Sequence, residues 1–339
     1  MMSKRDAPTP IPQHSFSGTA YLGIPHLPEF RSHLLEGIIQ WGTHYGGSRL
    51  SNTAPAIYAE AESSLAGMVG AASALLFSSG TLAGQVLIKV LSREAGLYLA
   101  PGVHPALWQD KGPETNHFDQ WAASMAVLCA TPGPPIALLA NSVDPLGVRA
   151  FDFSFLSNIP IRRQVILVVD DSHGFFLLGK NGEGAYPTIA ALPGIEPLVI
   201  SSLGKAASIP AGIIFGSEDW IARLKNTPFF GGASPAPPAY IHALLKAGAV
   251  YDGQRTRLKA LLQYFTGHLP PSPALHFMPG FPVFRIEEPA KAQALQAAGI
   301  EISSFSYPTP SDPPVSRIVI NAGHDEQALD TVLKVLCIS

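Results

Sequence analysis

The sequence predicts an α/β protein with a mainly parallel sheet and a smaller α+β lobe at the C-terminal end. Three observations predict it. Short, continuous apolar runs recur, the pattern of strands buried on both faces. Helical or irregular segments separate many of them, as crossover connections require. The chain has 339 residues, more than one core usually carries.

The elements follow in order. The segment from about 54 to 70, "PAIYAEAESSLAGMVGA", has helical spacing with Glu60 and Glu62 expected on the exposed side. "ALLFSSGT" reads as a strand entering a Ser/Gly turn, and "LAGQVLIKVLSR" as the helix after it. Further strands are expected at 96–100, 135–141, 164–172, 197–202 and 212–217. The charge-free run "WAASMAVLCATPGPPIALLANSV" is broken by "PGPP", so it reads as helix, turn and strand rather than a membrane span. A helix is expected at 219–226 and one long helix at 239–268. In the tail, "ALHFMPGFPVFRI", "SRIVINAG" and "DEQALDTVLKVL" read as strand, strand, helix. Prolines, 32 in all, cluster at 8–12, 132–135, 235–238 and 308–314 and mark turns.

Hydrophobic residues make up 47% of the chain and charged residues 14%, so much apolar surface is buried, some of it expected under a partner subunit. The net charge of −3 gives no footprint for nucleic acid or an anionic membrane. Cys129 and Cys337 form no C-x-x-C pair, so no metal or disulfide framework is expected, and both read as buried thiols. The N-terminal stretch lacks an apolar signal core, which makes a cytoplasmic protein the expectation.

Five features carry chemistry. Lys205, in "SSLGKAASIPAG", is the only charged residue between Glu196 and Glu218. It is not a P-loop lysine, because Val199 and Ala206 stand where Gly and Ser or Thr are needed. Asp170, Asp171 and His173 follow the run "QVILVV", at the strand end where α/β sheets bind ligands. The residues alone do not choose between the two aspartates. "FSSGT", ending at Thr81, leads into a helix whose free N–H groups suit a phosphate. His104 follows another strand. Arg317 lies in an apolar strand and needs an anionic partner. A phosphate cup, a strand-end carboxylate, an imidazole and an isolated lysine together suit pyridoxal 5′-phosphate (PLP).

At these residues the chain resembles a fold-type I PLP-dependent transferase, and more closely the α-oxoamine synthase family. Five segments carry the resemblance: "GGSRLSN", "ALLFSSGTLA", "VVDDSHGFFLLGKNGEG", "SSLGKAASIPAGIIFGS" and "SRIVINAGHDEQALD". They run over nearly the whole chain from about Tyr21. The resemblance implies a large PLP-binding domain over 46–230 and a small C-terminal domain over 231–339, which residues 1–45 join. It implies a homodimer with its active site at the subunit interface, acting on a small amino acid and an acyl-CoA. Aminotransferase and aldolase or lyase chemistry share the same first half-reaction, and a non-catalytic PLP-fold protein is a further reading.

The implied roles are residue by residue. Lys205 forms a Schiff base with the cofactor and shuttles the Cα proton. Asp170 pairs with the pyridine nitrogen, His173 bonds the ring hydroxyl and His104 stacks on the ring. Ser79, Gly80 and Thr81 contact the phosphate with help from Ser202. Ser142 lies near the ring hydroxyl, and Ser234 reaches the neighbouring subunit's phosphate. Arg317 holds the substrate carboxylate. The chain departs from the family at "LLANSVDPLG" around Ser142, at Thr81, where an aromatic residue is common, and at "AASIPAG" after the lysine.

Overall fold

A computed structural model describes residues 14–113, 117–270, 274–306, 311–312 and 314–338. The proline clusters at 8–12 and, in large part, at 308–314 lie outside them. Contacts divide the chain into two compact units.

The larger unit comprises residues 31–144 and 149–248. Its sheet has six strands: β1 (Ser73–Phe77), β2 (Gly96–Leu99), β3 (Ile136–Asn141), β4 (Val165–Asp170), β5 (Ile195–Ser202) and β6 (Gly212–Gly216). The order is β1-β6-β5-β4-β3-β2. The pairs β2–β3, β3–β4 and β4–β5 are parallel, while β6 runs antiparallel to both β5 and β1. Every residue of β3 and β4 is buried, as sheets covered on both faces require. The Val, Ile and Leu side chains of these strands pack with those of the helix Gly80–Leu91, including Leu87 and Leu91.

Both expected domain boundaries fall inside this larger unit. The helices Pro28–Trp41 and Pro238–Lys246 meet there so closely that a Cβ on Gly37 would lie 2.6 Å from the Ala239 carbonyl oxygen. Trp41 Nε1 donates to His242 Nδ1 at 3.3 Å, and the Tyr58 hydroxyl donates to the Ala236 carbonyl at 2.7 Å. The expected long helix over 239–268 breaks at Ala247 into Pro238–Lys246 and Gly248–Gly267. Glu62, expected on an exposed face, turns inward. Its carboxylate receives Arg49 Nη2 at 2.9 Å and the Leu76 N–H at 2.8 Å, while Arg49 stacks on Tyr58. Cys129 is buried as expected, but Cys337 is exposed on the helix Glu326–Ile338.

The smaller unit comprises residues up to Phe30, 145–148 and 249 onward. Its strands are β7 (Leu275–Phe277), β8 (Val283–Ile286), β9 (Glu301–Ser306) and β10 (Pro314–Val319). The stretch expected as one strand over 274–286 is a hairpin, turned through Gly280 at φ +78°. The short strand Ser15–Phe16 adds to β9 in parallel, and the sheet order is Ser15–Phe16, β9, β10, β8, β7.

One close backbone approach fixes β6 against the turn after β1. A Cβ on Gly212 would lie 2.3 Å from the Ser79 carbonyl carbon and 2.4 Å from the Gly80 nitrogen, so a side chain there forces backbone apart. Gly67 has open space around its Cα. We expect Gly212→Ala to destabilise by about 1–3 kcal/mol, and Gly67→Ala, in the helix Ile57–Val69, to be neutral or slightly stabilising. Urea midpoints check both, and equal midpoints for the two variants would contradict the packing.

Candidate active site

The parallel strands end on the same edge of the sheet, and β3, β4 and β5 end on polar residues, Asn141, Asp170 and Ser202. Asn141 ends β3 and Asp170 ends β4, opposite one another in register. Ser142 follows Asn141, and its N–H donates to the Asp170 carbonyl at 2.9 Å. A sheet whose apolar runs stop together presents its first side-chain polarity at that edge.

Asp170 is 7% exposed, and its Oδ1 accepts the Ser172 N–H at 2.9 Å. The Ser172 hydroxyl in turn accepts the Ser202 N–H at 2.8 Å. Ser202 lies against Gly80, where a Cβ would sit 2.8 Å from the serine Cβ. Hydrogen bonds and one close backbone contact therefore link the strand-end carboxylate to the N-terminus of the helix Gly80–Leu91. Ser79 caps that helix, its hydroxyl accepting the Leu82 N–H at 3.1 Å. The Gly80 and Thr81 N–H groups belong to the first turn, where a helix has no internal acceptors.

Lys205 stands at the head of a closed turn. Leu203 N–H bonds to the Ala211 carbonyl and Ile209 N–H to the Leu203 carbonyl, both at 2.9 Å. The Lys205 carbonyl accepts the Ser208 N–H and hydroxyl at 3.1 and 2.8 Å, with Ser208 in the left-handed region at φ +58°. Leu203, Ala206, Ala207, Ile209 and Ala211 are all buried. The unusual "AASIPAG" is thus the packed wall of this turn. Desolvation lowers the pKa of the Lys205 amine, against the opposing pull of Asp170 and Asp171. Burial likewise lowers the pKa of His104, with Asp170 opposing and the Lys205 charge adding to the shift. These mutual effects bring Lys205, Asp170 and His104 together electrostatically.

The two aspartates separate by environment. Asp171 is 1% exposed. Its Oδ1 receives the Ser142 hydroxyl at 2.5 Å and its Oδ2 the Ala185 N–H at 2.8 Å. A Cβ on Gly174 or Gly184 would lie 2.2 or 2.0 Å from its oxygens. Asp171 therefore braces the loop 171–185, and the Ser142 hydroxyl is paired with it. His173 is half-buried in the turn after β4, and Ser234 is exposed in the stretch after the helix Pro228–Gly232. Arg317, in the smaller unit, lies on β10 and is 8% exposed. It donates to the Pro145 carbonyl at 3.1 Å and lies over the Phe305 ring. Asn141, Ser172 and the Arg49–Glu62 pair are absent from the sequence-based site. Asn141 carried the same signal as Asp170, a polar residue closing an apolar run.

These residues fit PLP. They offer a half-buried lysine with a desolvated amine, a strand-end carboxylate, an imidazole and a turn where only glycine can lie against Ser202. The fold is that of the type I PLP-dependent transferases. A serine palmitoyltransferase from S. paucimobilis, solved with bound PLP–myriocin, superposes with a TM-score of 0.80 at 18% identity, covering 95% of this chain and 86% of that one. An 8-amino-7-oxononanoate synthase from Francisella tularensis gives a TM-score of 0.70 at 17% identity, covering 95% and 96%.

The sequence resemblance to the α-oxoamine synthases is borne out on the same scale. An 8-amino-7-oxononanoate synthase from Chromobacterium violaceum is 29% identical over 344 residues, 95% of this chain and 88% of the relative. A putative one from Desulfovibrio desulfuricans is 28% identical over 335 residues, 93% and 86%. No protein-family model matches the chain. Among the described residues, no helix is long and apolar enough to cross a membrane.

Burial pushes the Asp171 carboxyl up from 3.8 to about 7. Between those values the folded state holds a proton that the unfolded chain has released. The contribution to stability is therefore complete below about pH 4 and is lost as pH rises through about 7. We expect melting curves from pH 5 to 8 to fall more steeply for the native protein than for Asp171→Asn. Parallel curves would contradict the buried-carboxyl assignment.

Proposed function

We propose that the protein is a PLP-dependent acyltransferase of the α-oxoamine synthase type, condensing a small amino acid with an acyl-CoA and releasing the thiol. The observation that carries this is the Lys205 amine, desolvated and electrostatically coupled to Asp170 and His104, in a chain whose relatives bear synthase names along nearly their whole length.

PLP, when bound, supplies an electron sink for charge left at the amino acid's Cα. The chain supplies the rest. Lys205 would anchor the cofactor covalently, and its amine, held toward the uncharged form, would serve as base for the Cα proton. Asp170 would hold a proton on the pyridine nitrogen. His104, uncharged, would stack on the ring, and His173 and Ser142 would bond it. The Gly80 and Thr81 N–H groups and the hydroxyls of Ser79 and Ser202 would hold the phosphate. In the net reaction a Cα–H bond and the thioester C–S bond break, a bond forms between Cα and the acyl carbon, and the proton leaves with the thiol. Resemblance supports two further assignments: Arg317 for the substrate carboxylate and Ser234 for the phosphate of the neighbouring subunit in a homodimer.

The test incubates the PLP-loaded protein with small amino acids and a panel of acyl-CoAs. Free thiol is expected only when both substrates are present. Lys205→Ala should lower the rate at least about a hundredfold. Amino-group exchange with a 2-oxo acid, without thiol release from any acyl-CoA, would replace this reading with an aminotransferase.

A further inference from the structure

We propose that Asn141 is a positioning residue that sets His104 against the cofactor ring, an inference that rests on the PLP reading above. Asn141 is the last residue of β3, is 6% exposed and lies in register with Asp170. Its Oδ1 accepts the His104 N–H at 3.1 Å, and its Nδ2 donates to the Gly102 carbonyl at 2.8 Å. The reverse amide orientation would set donor against donor and acceptor against acceptor, so the chemistry fixes it.

The two bonds clamp both ends of the turn 102–104, which Gly102 enters at φ +69°. The turn has a further tie at its middle, where Trp108 Nε1 donates to the Val103 carbonyl at 2.9 Å. With its backbone held, the His104 ring has one more fixed contact: Nδ1 accepts the Ala106 N–H at 3.1 Å. An accepting Nδ1 places the proton of the neutral ring on Nε2. Asn141 thus fixes where the ring starts, and Ala106 fixes its rotation and tautomer.

The residue type follows from these demands. Aspartate cannot donate to the Gly102 carbonyl and would add a charge beside Asp170. Leucine fills the space but bonds neither group. Glutamine is one methylene too long for a shape set by two backbone partners.

The test is a double-mutant cycle on the full chain, using PLP itself as the probe. The variants are Asn141→Leu, His104→Ala and the combination. The readouts are the PLP dissociation constant and the circular dichroism of bound PLP in its visible band, which reports the asymmetry of the ring's surroundings. Each single variant is expected to weaken PLP roughly 3–10-fold and to reduce the band, and the combination should be no weaker than His104→Ala alone. Should Asn141→Leu fail to fold, Asn141→Asp serves, because it keeps the acceptor for His104 and loses the donor to Gly102. If the Asn141 change costs as much without the His104 ring as with it, or leaves the band unchanged, the positioning role is overturned while the PLP reading stands. If the native protein binds no PLP, both fall.

Discussion

Lys205 owes its chemistry to the turn that carries it. Leu203, Ala206, Ala207, Ile209 and Ala211 line that turn and are buried, and its backbone groups bond to one another, with Ser208 closing on the Lys205 carbonyl. The Lys205 side chain is half-buried, and desolvation disfavours its charged form. Asp170 and Asp171 oppose that shift without being the larger effect. An amine in bulk water would stay protonated and could neither attack an aldehyde nor accept a proton. Desolvation at this one side chain is the constraint that the rest of the site serves.

The other site residues answer two geometric requirements. The parallel sheet must end its apolar runs together, which places Asn141 and Asp170 side by side. The turn after β1 must approach β5 and β6 closely, which Gly80 and Gly212 permit against Ser202 and Ser79. Between them runs a short polar chain, Asp170 to Ser172 to Ser202. The strand-end carboxylate and the N-terminus of the helix Gly80–Leu91 are thereby tied within one unit.

Much of this was legible in the sequence. Continuous apolar runs located all six strands of the main sheet; in β3, β4 and β6 burial of every residue leaves little room for polar ones. The isolation of Lys205 marked it, because a charge without neighbours in an apolar stretch needs a reason. Other features were hidden for physical causes. Glu62 shows helical spacing suited to solvent, and only the distant Arg49 turns it inward. The two adjacent aspartates are chemically identical in a string, and they part only when Asp171 meets Ser142 and the Ala185 N–H. The break at Ala247 lies within an unbroken helical pattern. "AASIPAG" departs from the family pattern, and its Ala206, Ala207, Ile209 and Ala211 are buried in the fold.

The central claim is that Lys205, alone among the lysines, is held to react with PLP. Borohydride reduction of the PLP-incubated protein, followed by peptide mapping, tests this most directly. The account predicts a pyridoxyl group on Lys205 and on no other lysine. Label spread over surface lysines such as Lys89 and Lys246, with Lys205 unmodified, would contradict it.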